Sequence, residues 1–155
     1  MKTNWKKLII SLAIPLAVGG LAALLSGGMG NYTVMNQPPL SPPGWIFPIV
    51  WSILYLAMGY ASYRILMSDA DKADIKQALT FYGIQLVLNF LWPIIFFSLQ
   101  WYWVAFVWLV LLWVFIYLTM RMFGTIDDTA ENLLIPYLLW VTFAGYLNLG
   151  VALLN

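Results

Sequence analysis

The sequence predicts an all-α membrane protein, a bundle of five transmembrane helices. Only 8% of the 155 residues are charged and 63% are hydrophobic, whereas a soluble domain carries about 25% charged residues. The apolar residues also form long runs, each close to the roughly 20 residues that a helix needs to cross a bilayer. Five such runs with short connections use almost the whole chain, so residues 1–155 are expected to form a single domain.

The first predicted span covers residues 8–27 and follows a cationic start. That arrangement also describes a signal peptide, but the apolar run is too long and no Ala-x-Ala-like cleavage site follows it. Gly19, Ala23 and Gly27 recur every four residues. Small residues at this spacing permit close helix contact, either within the bundle or across a dimer.

A Pro-rich loop, residues 28–44, separates the first two spans. Its four prolines exclude a helix and predict an ordered, extended cap. The second span covers residues 45–67. Its Pro48 lies in the first turn, where a missing N–H costs least.

The remaining spans cover residues 77–99, 101–123 and 132–154, joined by short polar connectors. Residues 68–76 and 124–131 form two of these connectors, and a very short turn at Gln100 forms the third. Pro93 lies inside the third span and is expected to kink it.

The cations fall on one side of this five-span topology. The loop 28–44, the turn at Gln100 and the C-terminus carry no charged side chain. The positive-inside rule therefore predicts a cytoplasmic N-terminus and an external Pro-rich loop. The seven cations on or near the N-terminal side are Lys2, Lys6, Lys7, Arg64, Lys72, Lys76 and Arg121.

Several functional classes are excluded or disfavoured by composition. No ionisable residue lies near the middle of a span, which argues against proton pumps, ion-coupled transporters and voltage sensors. The chain has no cysteine or histidine, so it lacks thiol nucleophiles, imidazole bases and the usual zinc and haem ligands. No metal site or resident cofactor is predicted, and a net charge of +1 gives no electrostatic footprint for nucleic acid.

Two amides and three tryptophans lie deep in the predicted spans. An unpaired amide in hydrocarbon costs several kcal/mol, so Asn89 and Asn148 must face protein, water or a ligand. They either bond neighbouring helices or line a pocket. Trp51, Trp92 and Trp140 lie too deep for interfacial anchors, so helix packing or ligand stacking must explain them.

Four segments together resemble the translocator protein (TspO/MBR) family, whose members are also called tryptophan-rich sensory proteins or peripheral-type benzodiazepine receptors. The likeness covers most of the chain and keeps the order and spacing of its parts. The segments are Pro38–Pro39 with SPPGW at 41–45, WSILYLAMGYASY at 51–63, QLVLNFLWPIIFF at 85–97 and LLIPYLLWVTFAGYLN at 133–148.

This resemblance implies a five-helix bundle, usually a homodimer in membrane lipid, with a pocket that opens toward the first loop. Family members bind porphyrins and synthetic benzodiazepine-type ligands. The matching positions imply that the ligand contacts Tyr32, Pro42, Trp51, Tyr55, Asn89, Phe90, Trp92, Trp140, Ala144, Leu147 and Asn148. Trp51 and Trp140 match the tryptophans tied to light-dependent breakdown of protoporphyrin in bacterial relatives.

One departure concerns sterols. Animal members carry a C-terminal Leu/Val–Tyr–Lys/Arg motif for cholesterol, but no Lys or Arg follows Arg121 here, so the motif cannot be completed near Tyr146. This departure and the lack of a transit-like leader favour a bacterial-type member in the cell membrane.

The expected function is therefore a membrane receptor or sensor for a porphyrin or a similar flat lipophile. A metal-free porphyrin is the easier guest because the usual axial ligands are absent. Two alternatives stay open. One is light-dependent porphyrin degradation through Trp51 and Trp140, and the other is passive transport of the porphyrin or another lipophile.

Overall fold

The computed structural model describes residues 2–27, Tyr32 and residues 34–155, which form five long helices. Each helix is long and apolar enough to cross a bilayer, and the described residues include no β-strand. The chain is thus an all-α membrane protein with five transmembrane helices, as predicted. The helices are α1 (Trp5–Leu25), α2 (Ile46–Leu66), α3 (Lys72–Pro93, continued by a π-helical turn, Ile94–Ser98), α4 (Tyr102–Gly124) and α5 (Asp128–Leu154).

Helices α3 and α5 begin four or five residues before the apolar spans at 77 and 132, so part of each polar connector is helical. Their first turns are acidic, with Asp74 in α3 and Asp128 and Glu131 in α5. Negative side chains at a helix N-terminus are stabilised by the helix dipole. The Asp127 carboxylate also caps α5 by accepting the Ala130 N–H at 3.0 Å. An apolar run marks where the membrane begins, not where the helix begins.

Pro93 interrupts α3, as predicted. A proline cannot donate the usual helical hydrogen bond, and here the chain widens into the π-helical turn Ile94–Ser98. The Leu99 N–H closes that turn on the Ile94 carbonyl at 3.0 Å. Gln100 then reverses the chain with φ +55. The wider turn carries Phe96 and Phe97, both of which are buried.

Helix α5 packs between α2 and α4, α3 packs on α4, and α1 runs along α2. Three residues of α1 are buried, against eight on α2. Helix α1 is therefore a peripheral wall attached to a core that the other four helices form.

The two ends of the bundle differ in charge. The end at which α1 begins, here the polar end, holds an ion pair between Arg64 Nη2 and Asp127 Oδ2 at 3.0 Å. It also holds a weaker pair between Arg121 and Glu131 at 3.4 Å. The opposite end, here the loop end, carries residues 34–44. Positions 28–31 and 33 of the predicted cap lie outside the described residues.

The Pro-rich loop is fastened to the C-terminal part of α5. The Tyr146 hydroxyl donates to the Pro39 carbonyl at 2.5 Å. Asn36 and Asn155 bond each other in both directions, at 3.2 and 2.9 Å. Pro38 packs so closely on Gly150 that a side chain there would collide with the proline ring.

Candidate functional site

A cavity of about 360 Å³ lies in the half of the bundle nearer the loop end. All five helices and the Pro-rich loop contribute to its wall. The lining residues are Leu16, Gly19, Gly20, Ala22, Ala23, Ser26, Tyr32, Ser41, Phe47, Pro48, Trp51, Ser52, Tyr55, Asn89, Trp92, Pro93, Phe96, Phe97, Leu109, Leu112, Trp140, Ala144, Leu147, Asn148 and Val151.

Nine of the eleven predicted ligand-contacting residues line this one cavity. They come from the loop and from α2, α3 and α5, which the sequence separates by up to 116 positions. The nine are Tyr32, Trp51, Tyr55, Asn89, Trp92, Trp140, Ala144, Leu147 and Asn148. The structure brings together the residues that the family resemblance singled out, although their contact with a ligand stays a prediction.

Pro42 and Phe90 do not line the cavity. Pro42 lies behind the wall, where its carbonyl accepts the Tyr32 hydroxyl at 2.5 Å. Phe90 follows Asn89 directly, and consecutive residues on a helix point about 100° apart. Asn89 faces inward, so Phe90 is turned to another side of α3. Pro42 positions a lining residue, and Phe90 has no place in the described site.

Aromatic rings form the wall on the α2 and α5 side. The ring centroids of Trp51 and Tyr55 lie 5.5 Å apart. Phe47 meets Trp140 edge-on at 5.8 Å and Tyr32 edge-on at 5.1 Å. Rings held by such contacts keep fixed orientations, so this side presents a stiff aromatic surface.

Asn89 is the centre of a buried hydrogen-bond network that joins three helices. Its Oδ1 accepts the Tyr55 hydroxyl at 2.8 Å, and its Nδ2 donates to the Tyr137 hydroxyl at 2.7 Å. Tyr137 in turn donates to Gln85 Oε1 at 2.6 Å. Asn89 therefore both bonds neighbouring helices and lines the cavity, so the two alternatives drawn from the sequence hold together.

Asn148, nearer the loop end, also bonds neighbouring helices and lines the cavity. Its Oδ1 accepts the Trp92 indole N–H at 3.0 Å, and its Nδ2 donates to the Tyr102 carbonyl at 2.9 Å. Trp92 also stacks on Phe96 at 5.0 Å. These contacts hold the start of the π-helical turn against α4 and α5 and complete the corner of the cavity.

Trp51 and Trp140 differ from Trp92 in one respect. Within the described part of the chain, neither indole N–H donates a hydrogen bond, whereas Trp92, Trp108 and Trp113 each donate one. Buried indole N–H groups usually find a partner. Trp51 and Trp140 are half-buried on the cavity wall, and their indole N–H groups remain available to an acceptor.

The described lining residues include no acidic or basic side chain. Burial raises the pKa of the Tyr32 hydroxyl above its ordinary value of 10.0, and a hydrogen bond with Ser41 only partly opposes the shift. Tyr32 is therefore neutral at physiological pH. The described residues also hold no cluster of three potential metal ligands. The cavity suits an apolar guest and offers no acid–base pair.

Helix α1 supplies lining residues that sequence reasoning missed. Gly19 and Ala23 recurred at the spacing of helix contact, and Gly19 does pack directly against the Tyr55 ring. Gly19, Gly20 and Ala23 also line the cavity. Small residues allow close helix packing and also leave space beside a cavity. Residue type alone therefore does not show which of the two a glycine or alanine does.

The chain is similar in sequence to known proteins over nearly its full length. Residues 11–154 match the TspO/MBR family. The chain is 38% identical over 148 residues to Tryptophan-rich protein TspO of Chlorobaculum tepidum, covering 96% of this chain and 94% of that protein. It is 34% identical over 155 residues to a Tryptophan-rich sensory protein of Cereibacter sphaeroides, covering 100% and 95%.

An animal protein is similar to a comparable extent. The chain is 35% identical over 153 residues to the Translocator protein of Bos taurus, which covers 96% of this chain and 89% of the bovine protein. These matches to bacterial and mammalian proteins cover 96–100% of this chain. The chain is an integral, multi-pass membrane protein that belongs to the TspO/MBR family.

Proposed function

We propose that the protein is a membrane receptor or sensor that binds a porphyrin, or a similarly flat lipophile, in the cavity beneath the Pro-rich loop. The observation that carries the proposal is the pair of cavity tryptophans, Trp51 and Trp140, whose indole N–H groups donate to none of the described residues. A flat macrocycle could stack on the aromatic wall and offer its oxygen atoms to these donors.

The size and chemistry of the cavity support this class of guest. Its volume of about 360 Å³ lies in the lower part of the range of roughly 300–1,000 Å³ for small-molecule sites. A tetrapyrrole would fill it and reach its edge. The amide atoms of Asn89 are already bonded to Tyr55 and Tyr137, which leaves the two indoles as the more available donors.

The test is titration of the purified protein with protoporphyrin in the dark, followed by tryptophan quenching and by porphyrin absorbance. Trp51→Phe and Trp140→Phe keep a ring but lose the donor, so each should weaken binding by about threefold to tenfold, the worth of one hydrogen bond. Trp103→Phe is the matched control, since Trp103 is 54% exposed and lies outside the cavity. Linear quenching that survives both cavity substitutions would contradict the proposal.

The described residues favour porphyrin degradation over transport as the alternative function. Light-dependent oxidation of bound porphyrin would use dioxygen as the oxidant and a tryptophan radical beside the guest, and Trp51 and Trp140 both line the cavity. It is tested by illuminating the saturated complex and looking for a product that the Trp51→Phe complex lacks. Transport is less favoured, because the cavity ends at Tyr55 and Asn89 and the fully buried Met58, Ala61 and Ile65 follow toward the polar end.

A further inference from the structure

Among the described residues, the cavity wall is exposed only where α1 and α2 form it. Of its lining residues, five are exposed, and all five lie on α1 or α2. Those from α3, α4, α5 and the described part of the loop are buried or half-buried. The five exposed lining residues, here called the rim, are Leu16, Gly20, Ala23, Pro48 and Ser52.

The packing of α1 on α2 explains this opening. Nearer the polar end the two helices touch, since a Cβ on Gly59 would lie 2.6 Å from the Ser11 carbonyl oxygen and 2.9 Å from Leu12 Cα. Gly19 continues the contact against the Tyr55 ring. Gly20 is turned about 100° from Gly19 around α1, lines the cavity, and would carry a Cβ with nothing within 4 Å of it. The helices therefore enclose the cavity at its base and leave its side open.

The described loop residues close the cavity at the loop end. Tyr32 is 7% exposed, is bonded to the Pro42 carbonyl and packs edge-on against Phe47. The Gln37 amide holds the Tyr32 carbonyl. With the loop also fastened to α5 through Tyr146, the exposed path to the cavity runs between the helices.

The rim is adapted to hydrocarbon. Four of its residues are apolar, and the fifth, Ser52, donates its hydroxyl to the Pro48 carbonyl at 2.7 Å. Ser26, just inside, donates to the Ala23 carbonyl at 3.2 Å. Hydroxyls bonded within their own helix place no unpaired donor in the opening, which is what contact with lipid tails requires.

We propose that this opening connects the cavity to the bilayer, and that an acyl chain of a membrane lipid enters through it and occupies the cavity until a flat ligand displaces it. The rim sits within two membrane-spanning helices, so lipid tails are the molecules that meet it. Entry of a porphyrin by this route rests on the proposed function, whereas occupation by an acyl chain does not.

Filling the rim tests the route. Gly20→Phe places a ring where a Cβ has free space, and in vesicles it should slow both protoporphyrin association and dissociation by about tenfold or more, with affinity changed less than either rate. Gly83→Phe is the matched control, because Gly83 also has nothing within 4 Å of its Cβ and lies outside the cavity. Unchanged rates in Gly20→Phe, or weaker binding through faster dissociation alone, would overturn the route.

Loosening the loop tests the competing entrance. Tyr146→Phe combined with Asn155→Ala removes the Tyr146 bond to the Pro39 carbonyl and both Asn36–Asn155 bonds, which fasten the loop to α5. Entry between the helices predicts association rates that match those of the unaltered protein. Faster association in this variant would show that the ligand enters past the loop and would overturn the proposal.

Lipid occupation is measured without porphyrin. The protein is placed in vesicles whose acyl chains carry bromine, a heavy-atom quencher. The fluorescence of Trp51 is obtained as the difference between the unaltered protein and Trp51→Phe, and we expect bromine to quench it. Gly20→Phe should reduce that quenching, and Gly83→Phe should not. If the unaltered protein fails to bind protoporphyrin but shows this quenching, the proposed function fails and the lipid opening stands. A Trp51 signal that brominated chains leave unchanged would overturn the opening.

Discussion

At the scale of single residues, the polar network around Asn89 serves both stability and the site. Tyr55, Asn89, Tyr137 and Gln85 form a chain of three hydrogen bonds that starts at the cavity wall and runs into the core. Membrane interiors leave no water to satisfy such groups, so each bond fixes a helix position. The network gives the cavity a floor that cannot shift without breaking a buried bond.

Removing the Tyr137 hydroxyl should be costly. Tyr137→Phe leaves Asn89 Nδ2 and Gln85 Oε1 without their partner, and each unsatisfied buried group costs about 1–3 kcal/mol. Tyr117→Phe is the control, since Tyr117 is 41% exposed and its hydroxyl donates no bond to the described residues. Tyr117→Phe should change the free energy of unfolding by less than about 0.5 kcal/mol. Thermal unfolding in detergent measures both, and equal midpoints would refute the network's role.

At the scale of helices, α1 packs its backbone directly on α2 at Gly59. The nearest neighbours of a Cβ on Gly59 are backbone atoms of Ser11 and Leu12, which cannot rotate aside as a side chain could. Residue type alone does not determine whether Met58 or Gly59 faces the neighbouring helix. The structure separates them, with Met58 in the core and Gly59 against α1.

Gly59→Ala should push α1 away from α2 and destabilise the protein by about 1–3 kcal/mol, the usual cost of overpacking. The same substitution at Gly83, where a Cβ meets open space, should gain up to about 1 kcal/mol from helix propensity. Unfolding of both variants, followed by circular dichroism in one detergent, checks the opposite signs. Stabilisation by Gly59→Ala would show that the helices separate at little cost.

At the scale of the whole molecule, the sequence predicted the architecture well because lipid imposes simple rules. Five apolar runs became five helices, and the cations lie toward the polar end. The site was less predictable. Trp51, Asn89 and Trp140 stand out as polar or aromatic groups at depth, but Leu109 and Leu112 on α4 and the small residues of α1 look like ordinary packing. Their part in the cavity depends on how the helices lie together.

The polar end should control the pH dependence of stability. Burial raises the pKa of Asp127, but hydrogen bonds from Arg64 and the Ala130 N–H and the Arg64 charge outweigh it, so the pKa is below the ordinary 3.8. Ionised Asp127 therefore stabilises the folded protein at pH values above the ordinary pKa. This stabilisation is lost as the pH falls through the lower pKa of Asp127 in the folded protein.

Two variants at Asp127 separate its charge from its cap. Asp127→Asn keeps a capping oxygen and loses the ion pair, so it should cost up to about 1 kcal/mol at neutral pH and nothing in strong acid. Asp127→Ala should cost about 1 kcal/mol more through the lost cap. Unfolding midpoints from pH 2 to pH 7 check both. A gap between Asp127→Asn and the unaltered protein that is constant with pH would contradict the assignment.

Two parts of the cavity wall differ in the kind of side chain that forms them. One is a set of rings braced against each other, among them Phe47, Trp51 and Trp140, and the other is the glycine and alanine surface of α1. We expect such a cavity to select ligands by their thickness more than by their outline. Planar compounds of quite different contour should fit between the walls, whereas a puckered or ruffled analogue of the same formula should be refused.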